Sequence, residues 1–263
     1  MVDNKNTRYS SRIVRAGALL TDTRTLLSQW DESLSISENL DLFQMDNVFG
    51  KPTRFRTERV LDIFRERYLD DEQVRKALIK LVKAQPPVQG LDLLLYFHTA
   101  QSNLLLHDSV TEILNKLWLQ GRTQVDAELM YSELAQWVRE GKMLGKWSES
   151  TTRRIASGIL STLRDFGVLK GTVKKVIAPI YLPVEAFAYV AFCLKNRQPS
   201  GERLLDDPEW QLFFLSRNNV EHLFMEAHQQ RLLEYHSAGS IIRIDFPAET
   251  LEEYAHVIAR RAN

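Results

Sequence analysis

Three residues have types and spacing that could perform chemistry: Asp126, Glu140 and Lys142. The segment Glu140-Gly141-Lys142 has the E-x-K form of restriction-like nucleases, in which carboxylates hold a metal ion that activates water. Such a site needs its residues on neighbouring strands, whereas Glu140 ends a predicted helix. The pattern therefore does not predict a nuclease, and we expect a protein that is not an enzyme.

Metal and cofactor sites are not predicted either. His222, His228 and His236 lie too far apart in sequence to share one helix face, and Cys193, the single cysteine, excludes a cysteine-based zinc site. Asp165-Phe166-Gly167 spells the magnesium motif of kinases, but the glycine-rich and catalytic loops are missing, so Gly167 is interpreted as a helix C-cap. We expect no metal, no cofactor and no small-molecule substrate.

The clearest functional pattern is basic and lies in residues 147–171, WSESTTRRIASGILSTLRDFGVLKG. Helical spacing predicts a helix over residues 150–166. One arc of this helix is apolar and is expected to face the core: Ile155, Ala156, Ile159, Leu160, Leu163 and Phe166. The opposite face is small and basic: Ser150, Arg154, Ser157, Gly158 and Ser161, with Arg153 and Arg164 at its edges.

The start of this helix suggests a phosphate site. Ser148 or Ser150 can cap it, which leaves amide groups and the positive end of the helix dipole beside Arg153 and Arg154. Two cations at that end destabilise the helix by about 0.3–1 kcal/mol, and a phosphate bound there would offset this cost. The small outer face would let the helix enter the major groove of DNA closely.

The surrounding elements fit a winged helix-turn-helix. A helix over residues 131–140, a turn with Gly141 and Gly145, the basic helix, and a strand pair in TVKKVIAPIYL follow in the required order. The predicted DNA contacts of this part come from the helix and the wing: Arg153, Arg154, Ser157, Ser161, Arg164, Lys170, Lys174 and Lys175. The alternative is a solvated helix whose arginines form surface ion pairs.

Two further basic clusters lie in the first half of the chain. KPTRFRTER carries Lys51, Arg54, Arg56 and Arg59 at a helix start, and a weaker cluster near the N-terminus has Arg8 and Arg12. A solvated helix face with ion pairs four residues apart is the alternative for KPTRFRTER. We predict that both clusters contribute to DNA binding.

Bulk composition is that of a folded protein. The 263 residues are 44% hydrophobic and 26% charged with zero net charge, so any attraction to nucleic acid is local. Residues 147–176 hold six basic and two acidic residues, whereas residues 202–253 hold eleven acidic and four basic ones. The longest apolar stretch, residues 91–100, is too short for a membrane span, and the polar N-terminus with one cysteine predicts a cytoplasmic protein.

The periodicities predict a mainly α protein with a small β-wing. Residues 1–120 show helical patterns throughout and are predicted to form an all-helical domain. Gly121-Arg122-Thr123 is the predicted boundary, and residues 121–263 are predicted to form an α+β domain that contains the winged helix.

The N-terminal third resembles the BrxA family of BREX (bacteriophage exclusion) systems. The resemblance lies in RYSSRIVRAGALLTDTRTLLSQW and NVFGKPTRFRTERVLDIFRERYL. It implies a helical phage-defence protein without a catalytic site, which binds DNA and has an N-terminal half similar to the NusB helical bundle. The basic positions that match are Arg8, Arg12, Lys51, Arg54 and Arg56.

Together these patterns predict a non-enzymatic component of a BREX system whose partners are double-stranded DNA and other BREX proteins. Two alternatives stay open. The chain could be an adaptor that docks other proteins of the system, or it could bind RNA through the half that resembles NusB.

Overall fold

The computed structural model describes residues 9–15, 17–84, 90–198, 200–239 and 241–261. Most of these residues are helical, and their strands form two small antiparallel sheets. The predicted class, mainly α with a small β part, is confirmed.

The elements follow one another along the chain with short connections. The α-helices are α1 (Leu20–Gln29), α2 (Ile36–Met45), α3 (Arg54–Phe64), α4 (Glu72–Lys83), α5 (Leu91–Ser102), α6 (Leu104–Asp108), α7 (Asn115–Leu119), α8 (Ala127–Arg139), α9 (Glu149–Asp165), α10 (Val184–Lys195), α11 (Gly201–Leu205), α12 (Arg217–Gln229) and α13 (Leu251–Arg261). Ser11–Arg15 and Pro208–Phe213 are 3-10 helices, and Arg65–Leu69 and Ser109–Leu114 are π-helical turns. The strands are β1 (Gln124–Val125), β2 (Leu169–Lys170), β3 (Lys175–Ile177), β4 (Glu234–Ala238) and β5 (Ile241–Asp245).

Local sequence explains where the helices begin. Before α2, Ser35 accepts a hydrogen bond from the Glu38 amide while the Glu38 carboxylate accepts one from the Ser35 amide, which makes a complete capping box. Before α9, the Ser148 hydroxyl accepts the amide of Thr151 at 3.2 Å. These side chains satisfy amides that the first helical turn leaves without partners.

The β-strands could be predicted only in part from the sequence. A strand pair is present as β2 and β3, with Leu169 opposite Ile177. Only β3 lies within TVKKVIAPIYL; β2 comes before that segment, directly after Gly167 and Val168, so the expectation of two strands inside it is wrong. β1 pairs with the other edge of β3, with Gln124 opposite Val176, which gives the order β1-β3-β2. β1 was not predicted, because two residues are too few to show a period.

By contacts, the chain groups into two compact units. The first comprises Met1–Ala18, Thr99–Tyr181 and Gln211–Phe214, and the second comprises Leu19–His98, Leu182–Trp210 and Leu215–Asn263. The boundary expected near Gly121 falls inside the first unit, and the division into domains 1–120 and 121–263 stays a prediction.

The core of the first unit lies between α8, α9 and the three-stranded sheet. α8 packs along α9, and both bury their apolar faces. Met130 and Leu134 of α8 and Ile155 and Ile159 of α9 are fully buried. The 3-10 helix Ser11–Arg15 packs against α9 as well. The unit thus holds α9 on one side and leaves its other side to solvent.

The core of the second unit is helical and rich in aromatic residues. α4 packs on α13 and α1, and α10 packs on α12 and α13. Phe187 of α10 stacks on Trp210 with ring centroids 4.8 Å apart and meets Phe224 edge-on at the same distance. At Gly90, which has φ +77°, a Cβ would lie 2.8 Å from that of Ala186, so the start of α5 approaches α10 too closely for a side chain.

Candidate nucleic-acid interface

Helix α9 has the two faces that its sequence predicts. The six residues of the apolar arc are all buried: Ile155, Ala156, Ile159, Leu160, Leu163 and Phe166. Arg153, Arg154, Ser157 and Arg164 are exposed on the other side. The helix therefore presents a polar, basic face while its apolar face anchors it to the core.

Arg153 is held by its neighbours. Its Nη1 donates to Glu128 Oε2 of α8 at 2.6 Å and its Nε to Glu149 Oε1 at 2.9 Å, and its guanidinium lies 3.9 Å from the centroid of the Tyr131 ring. The hydrogen bonds to Glu128 and Glu149 raise the pKa of Arg153 above its usual value. For this residue, the ion-pair alternative matches the observed contacts, and Arg153 joins α8 to the start of α9.

Arg154 and Arg164 differ from Arg153 in their surroundings. Arg154 is exposed and forms no ion pair with any residue in the described part of the chain. Arg164 bonds its sequence neighbour Asp165 at 2.8 Å, and both side chains are exposed. An exposed pair of this kind contributes little to stability, so Arg164 can exchange Asp165 for another anion. Arg154 is the cation of α9 best placed to meet a phosphate.

The small residues of α9 differ in how exposed they are. Ser157 is exposed, whereas Gly158 and Ser161 are half-buried. The N-terminal segment runs along this side: the 3-10 helix packs on α9, and a Cβ at Gly17 would lie 4.0 Å from Thr162 Oγ1. Part of the small face therefore accommodates the N-terminal segment, and Ser157 marks the part that stays open.

The wing lysines do not share one environment. Lys170 and Lys174 are exposed and form no ion pair with described residues, but Lys175 is buried and its Nζ donates to the Thr172 carbonyl at 2.7 Å. Lys175 therefore stabilises the hairpin from inside. It was predicted to contact DNA, but its buried ammonium group is not exposed to do so. Lys170 and Lys174 flank the turn from outside.

The turn between β2 and β3 is tight. Gly171 has φ +99°, and a Cβ there would lie 2.5 Å from the Lys174 carbonyl oxygen, so only glycine fits. Val173 is 81% exposed at the tip. The hairpin is thus a short, internally braced projection with lysines on either side of its tip.

The KPTRFRTER cluster lies in the second unit, whereas α9 belongs to the first. Lys51 bonds Asp22 at 2.7 Å in a partly buried ion pair, and Arg54 bonds Glu58 at 3.2 Å, four residues along α3. Arg59 lies 5.5 Å above the Phe55 ring. Lys51 and Arg54 therefore have the ion pairs that the solvated-face alternative expects, whereas Arg56 and Arg59 pair with no carboxylate among the described residues.

The N-terminal cluster is only partly visible. Arg8 lies outside the described residues, and Arg12 is exposed on the 3-10 helix that packs on α9. Tyr9 fixes this segment: its backbone bridges to Met143 in the α8–α9 turn, and its hydroxyl donates to Asp108 at 2.7 Å. Arg12 thus joins the same unit as the predicted recognition helix.

The family model for BrxA matches residues 7–192. The chain belongs to the BrxA family. BrxA is a component of BREX systems, so the role of this chain lies in phage defence and its partners include other proteins of such a system. The match covers α8, α9 and the wing as well as KPTRFRTER. It does not extend to a similarity with NusB, which stays a prediction.

No curated protein matches the chain. Within the residues that the structure describes, no helix combines the length and apolar character needed to cross a bilayer.

The E-x-K residues of this BrxA family member do not converge. Asp126 caps the start of α8, where it accepts the Leu129 amide at 2.9 Å, and Glu140 follows the end of the same 13-residue helix. A helix of that length separates them by about 20 Å, so they cannot share a metal ion. Glu140 bonds Gln136 and Lys142, which lower the pKa of its carboxyl. Across the described ranges, no group of three or more potential metal ligands is present.

The sequence analysis missed two features of this BrxA site. One is the contact of Arg153 with Glu128 of α8, since the sequence spacing indicated only its other ion pair, with Glu149 four residues earlier in α9. The other is Arg122, an exposed cation that lines one cleft with Lys174 beside β1. Nothing in the sequence joins Arg122 to Lys174, because only the pairing of β1 with β3 brings them together.

Proposed function

We propose that this BrxA family member is a non-enzymatic protein that binds duplex DNA through α9 and the β2–β3 wing. The observation that supports this most directly is that three cations of α9 and the wing are exposed and form no ion pair with described residues: Arg154, Lys170 and Lys174. DNA affinity derives largely from such cations, which neutralise phosphates and release counterions.

The arrangement of elements supports the same proposal. A helix, a glycine-containing turn, a second helix and a hairpin follow in order, with the strands in the order β1-β3-β2. This order is typical of winged helix-turn-helix units, in which the second helix enters the major groove and the wing contacts the backbone beside it. In this proposal α9 is the recognition helix.

The residues divide into two roles. Arg154 and Ser157 on α9 lie against the DNA, with Arg164 exchanging Asp165 for phosphate, and Lys170 and Lys174 hold the flanking backbone. Arg153 and Lys175 hold α9 and the wing in position through protein contacts. This division predicts fewer phosphate contacts than the number of basic residues suggests.

The test is a fluorescence-anisotropy titration with duplex DNA, single-stranded DNA and duplex RNA at several salt concentrations. With ~3–4 phosphate contacts, log K for duplex DNA should fall with log salt at a slope of about −3 to −4. Absence of duplex binding at ~50 mM salt and micromolar protein would remove the proposal. Tighter binding to single strands or to RNA would favour the RNA alternative.

A second candidate is an adaptor that docks other proteins of the defence system. It is favoured by exposed apolar side chains in the second unit, where Met45 is 79% and Phe55 is 63% exposed. Large apolar side chains that cluster on a surface are typical of protein contacts. Co-purification of DNA-binding-deficient variants with the remaining BREX proteins would separate the adaptor from the DNA-binding function.

A further inference from the structure

The cleft beside β1 is lined by side chains that can donate hydrogen bonds. Its volume is about 560 Å³, and Arg122, Thr123 and Gln124 line it from the start of β1 while Lys174 lines it from the wing. These four side chains form no hydrogen bond or ion pair with another residue in the part of the chain that the structure describes. We call this region the β1 cleft. Its donors are available to a ligand.

The backbone on both sides of Arg122 is fixed. The Arg122 amide donates to the Leu117 carbonyl at 2.9 Å, as the residue after the glycine does in a Schellman helix end. One residue later, the Thr123 carbonyl accepts the amide of Ile177, the last residue of β3, at 2.8 Å. Arg122 is therefore a cation on a rigid backbone, and only its side chain has to be ordered when a ligand binds.

The second cation of the cleft, Lys174, lies at the other end of β1. Because Val125 is opposite Lys175 in the ladder, Lys174 is placed where β1 ends and α8 begins. Four strand residues from Arg122 to this point span about 13 Å. This spacing suits an extended anion better than a single small one, and one DNA strand carries a phosphate every ~3.4 Å of helix axis.

The β1 cleft also contains one carboxylate, that of Asp126. Its Oδ1 accepts the Leu129 amide at 2.9 Å as the N-cap of α8, so the positive end of the helix dipole partly compensates its charge. Two cations therefore lie against one carboxylate that is already hydrogen-bonded. The charge balance of the cleft is positive, and Asp126 is expected to weaken the binding of an anion.

We propose that the β1 cleft binds the sugar-phosphate backbone of duplex DNA. Arg122 and Lys174 contact phosphates, and Thr123 and Gln124 donate to oxygens between them. The inference rests on the proposed DNA binding by the wing, since Lys174 belongs to both surfaces. It extends the DNA contact beyond α9 and the wing to the strand that precedes α8. Such contacts position the duplex and do not read its sequence.

Anisotropy titrations of the full chain with duplex DNA test the proposal. Arg122→Ala should reduce the slope of log K against log salt by about one, and Arg122→Ala/Lys174→Ala should reduce it by about two. Arg122→Lys should keep the wild-type slope, because the charge is retained. Two duplexes of unrelated sequence should lose affinity for Arg122→Ala by the same factor.

Asp126→Asn changes the cleft in the opposite direction. It should tighten duplex binding about threefold or more at ~50 mM salt, because it removes a like charge while asparagine still caps α8. The matched control is Glu133→Gln, which removes an exposed carboxylate two turns further along α8, and Arg203→Ala is the control for Arg122→Ala. Both controls should bind as the wild type does, and circular dichroism checks that each variant folds.

The outcomes separate this inference from the proposed function. A wild type that does not bind duplex DNA would remove both. A wild-type slope for Arg122→Ala, together with a reduced slope for Arg154→Ala, would overturn the β1 cleft alone, and so would unchanged affinity of Asp126→Asn. Unequal losses for the two duplexes would replace the backbone contact with a base contact. Thermal stabilisation by millimolar pyrophosphate that Arg122→Ala abolishes, without any change in its DNA affinity, would assign the cleft to a small anion instead.

Discussion

At the scale of single residues, the adjacent arginines of α9 have different surroundings despite their identical type. Arg153 contacts Glu128, Glu149 and Tyr131, whereas Arg154 is exposed and pairs with no described carboxylate. The difference follows from the helix turn, because successive residues point about 100° apart and only Arg153 points towards α8.

Arg154→Ala should reduce the slope of log K against log salt by about one, because one phosphate contact is lost. Its melting temperature should stay that of the wild type. Arg153→Ala should lower the melting temperature instead, since it removes the contact between α8 and α9. Arg203→Ala, at an exposed position far from α9 in sequence, is the control for both measurements. Equal salt slopes for the wild type and Arg154→Ala would exclude a phosphate contact.

A second residue-scale prediction concerns His98, whose Nε2 lies 2.9 Å from the Tyr189 hydroxyl. Burial lowers the pKa of His98 from 6.5 to about 4. Between these values the unfolded chain binds the proton and the folded protein does not. Stability is therefore full above pH 6.5 and falls as pH drops towards 4, by up to ~3 kcal/mol in total.

Urea unfolding of the wild type and His98→Gln at pH 7, 6, 5 and 4.5 measures this effect. The variant should be less stable at pH 7 but should show a shallower loss of stability on acidification. Identical pH slopes would mean that His98 does not control the acid dependence.

At the scale of elements, the wing depends on one backbone conformation. Gly171→Ala should cost more than the ~1–2 kcal/mol of a left-handed non-glycine residue, because its Cβ would also clash with the Lys174 carbonyl. Thermal unfolding measures this loss, and DNA affinity should fall with it. Gly121→Ala is the matched control, since φ is +71° there but no atom lies within 4 Å. A control as unstable as Gly171→Ala would contradict the steric account.

The open part of α9 allows a test that changes no charge. Ser157→Trp should block close approach of the helix to a groove and abolish duplex binding while the fold stays intact. Ser132→Trp places the same bulk on the exposed side of α8 and should bind as the wild type does. Wild-type affinity of Ser157→Trp would mean that α9 is a scaffold and not a recognition helix.

Much at the scale of elements could be predicted from sequence. The expected helix over residues 150–166 is observed as Glu149–Asp165, because a long amphipathic pattern that follows a serine cap is compatible only with a helix. The site residues were harder to predict. The burial of Lys175 and the cleft shared by Arg122 and Lys174 depend on strand pairing across about 50 residues, which local periodicity does not contain.

At the scale of the whole molecule, each unit is assembled from three separate segments of chain. Residues 1–120 expressed alone should therefore lack cooperative unfolding, because α4 would lose α13, its main packing partner. Circular dichroism and a thermal melt of this fragment measure whether it unfolds cooperatively. A cooperative, stable fragment would instead support the sequence-predicted domain boundary.

The hydrogen bonding of the N-terminal segment to the α8–α9 turn also bears on synthesis. Tyr9 leaves the ribosome well before Met143, to which it bridges, and the unit is completed by Gln211–Phe214, where the Phe214 ring lies 5.7 Å from the Trp118 ring. Closing such distant contacts costs loop entropy before packing compensates for it. The first unit therefore cannot finish folding during translation until Phe214 has emerged. The order of synthesis therefore delays completion of the unit that carries α9 until its last segment, Gln211–Phe214, has been made.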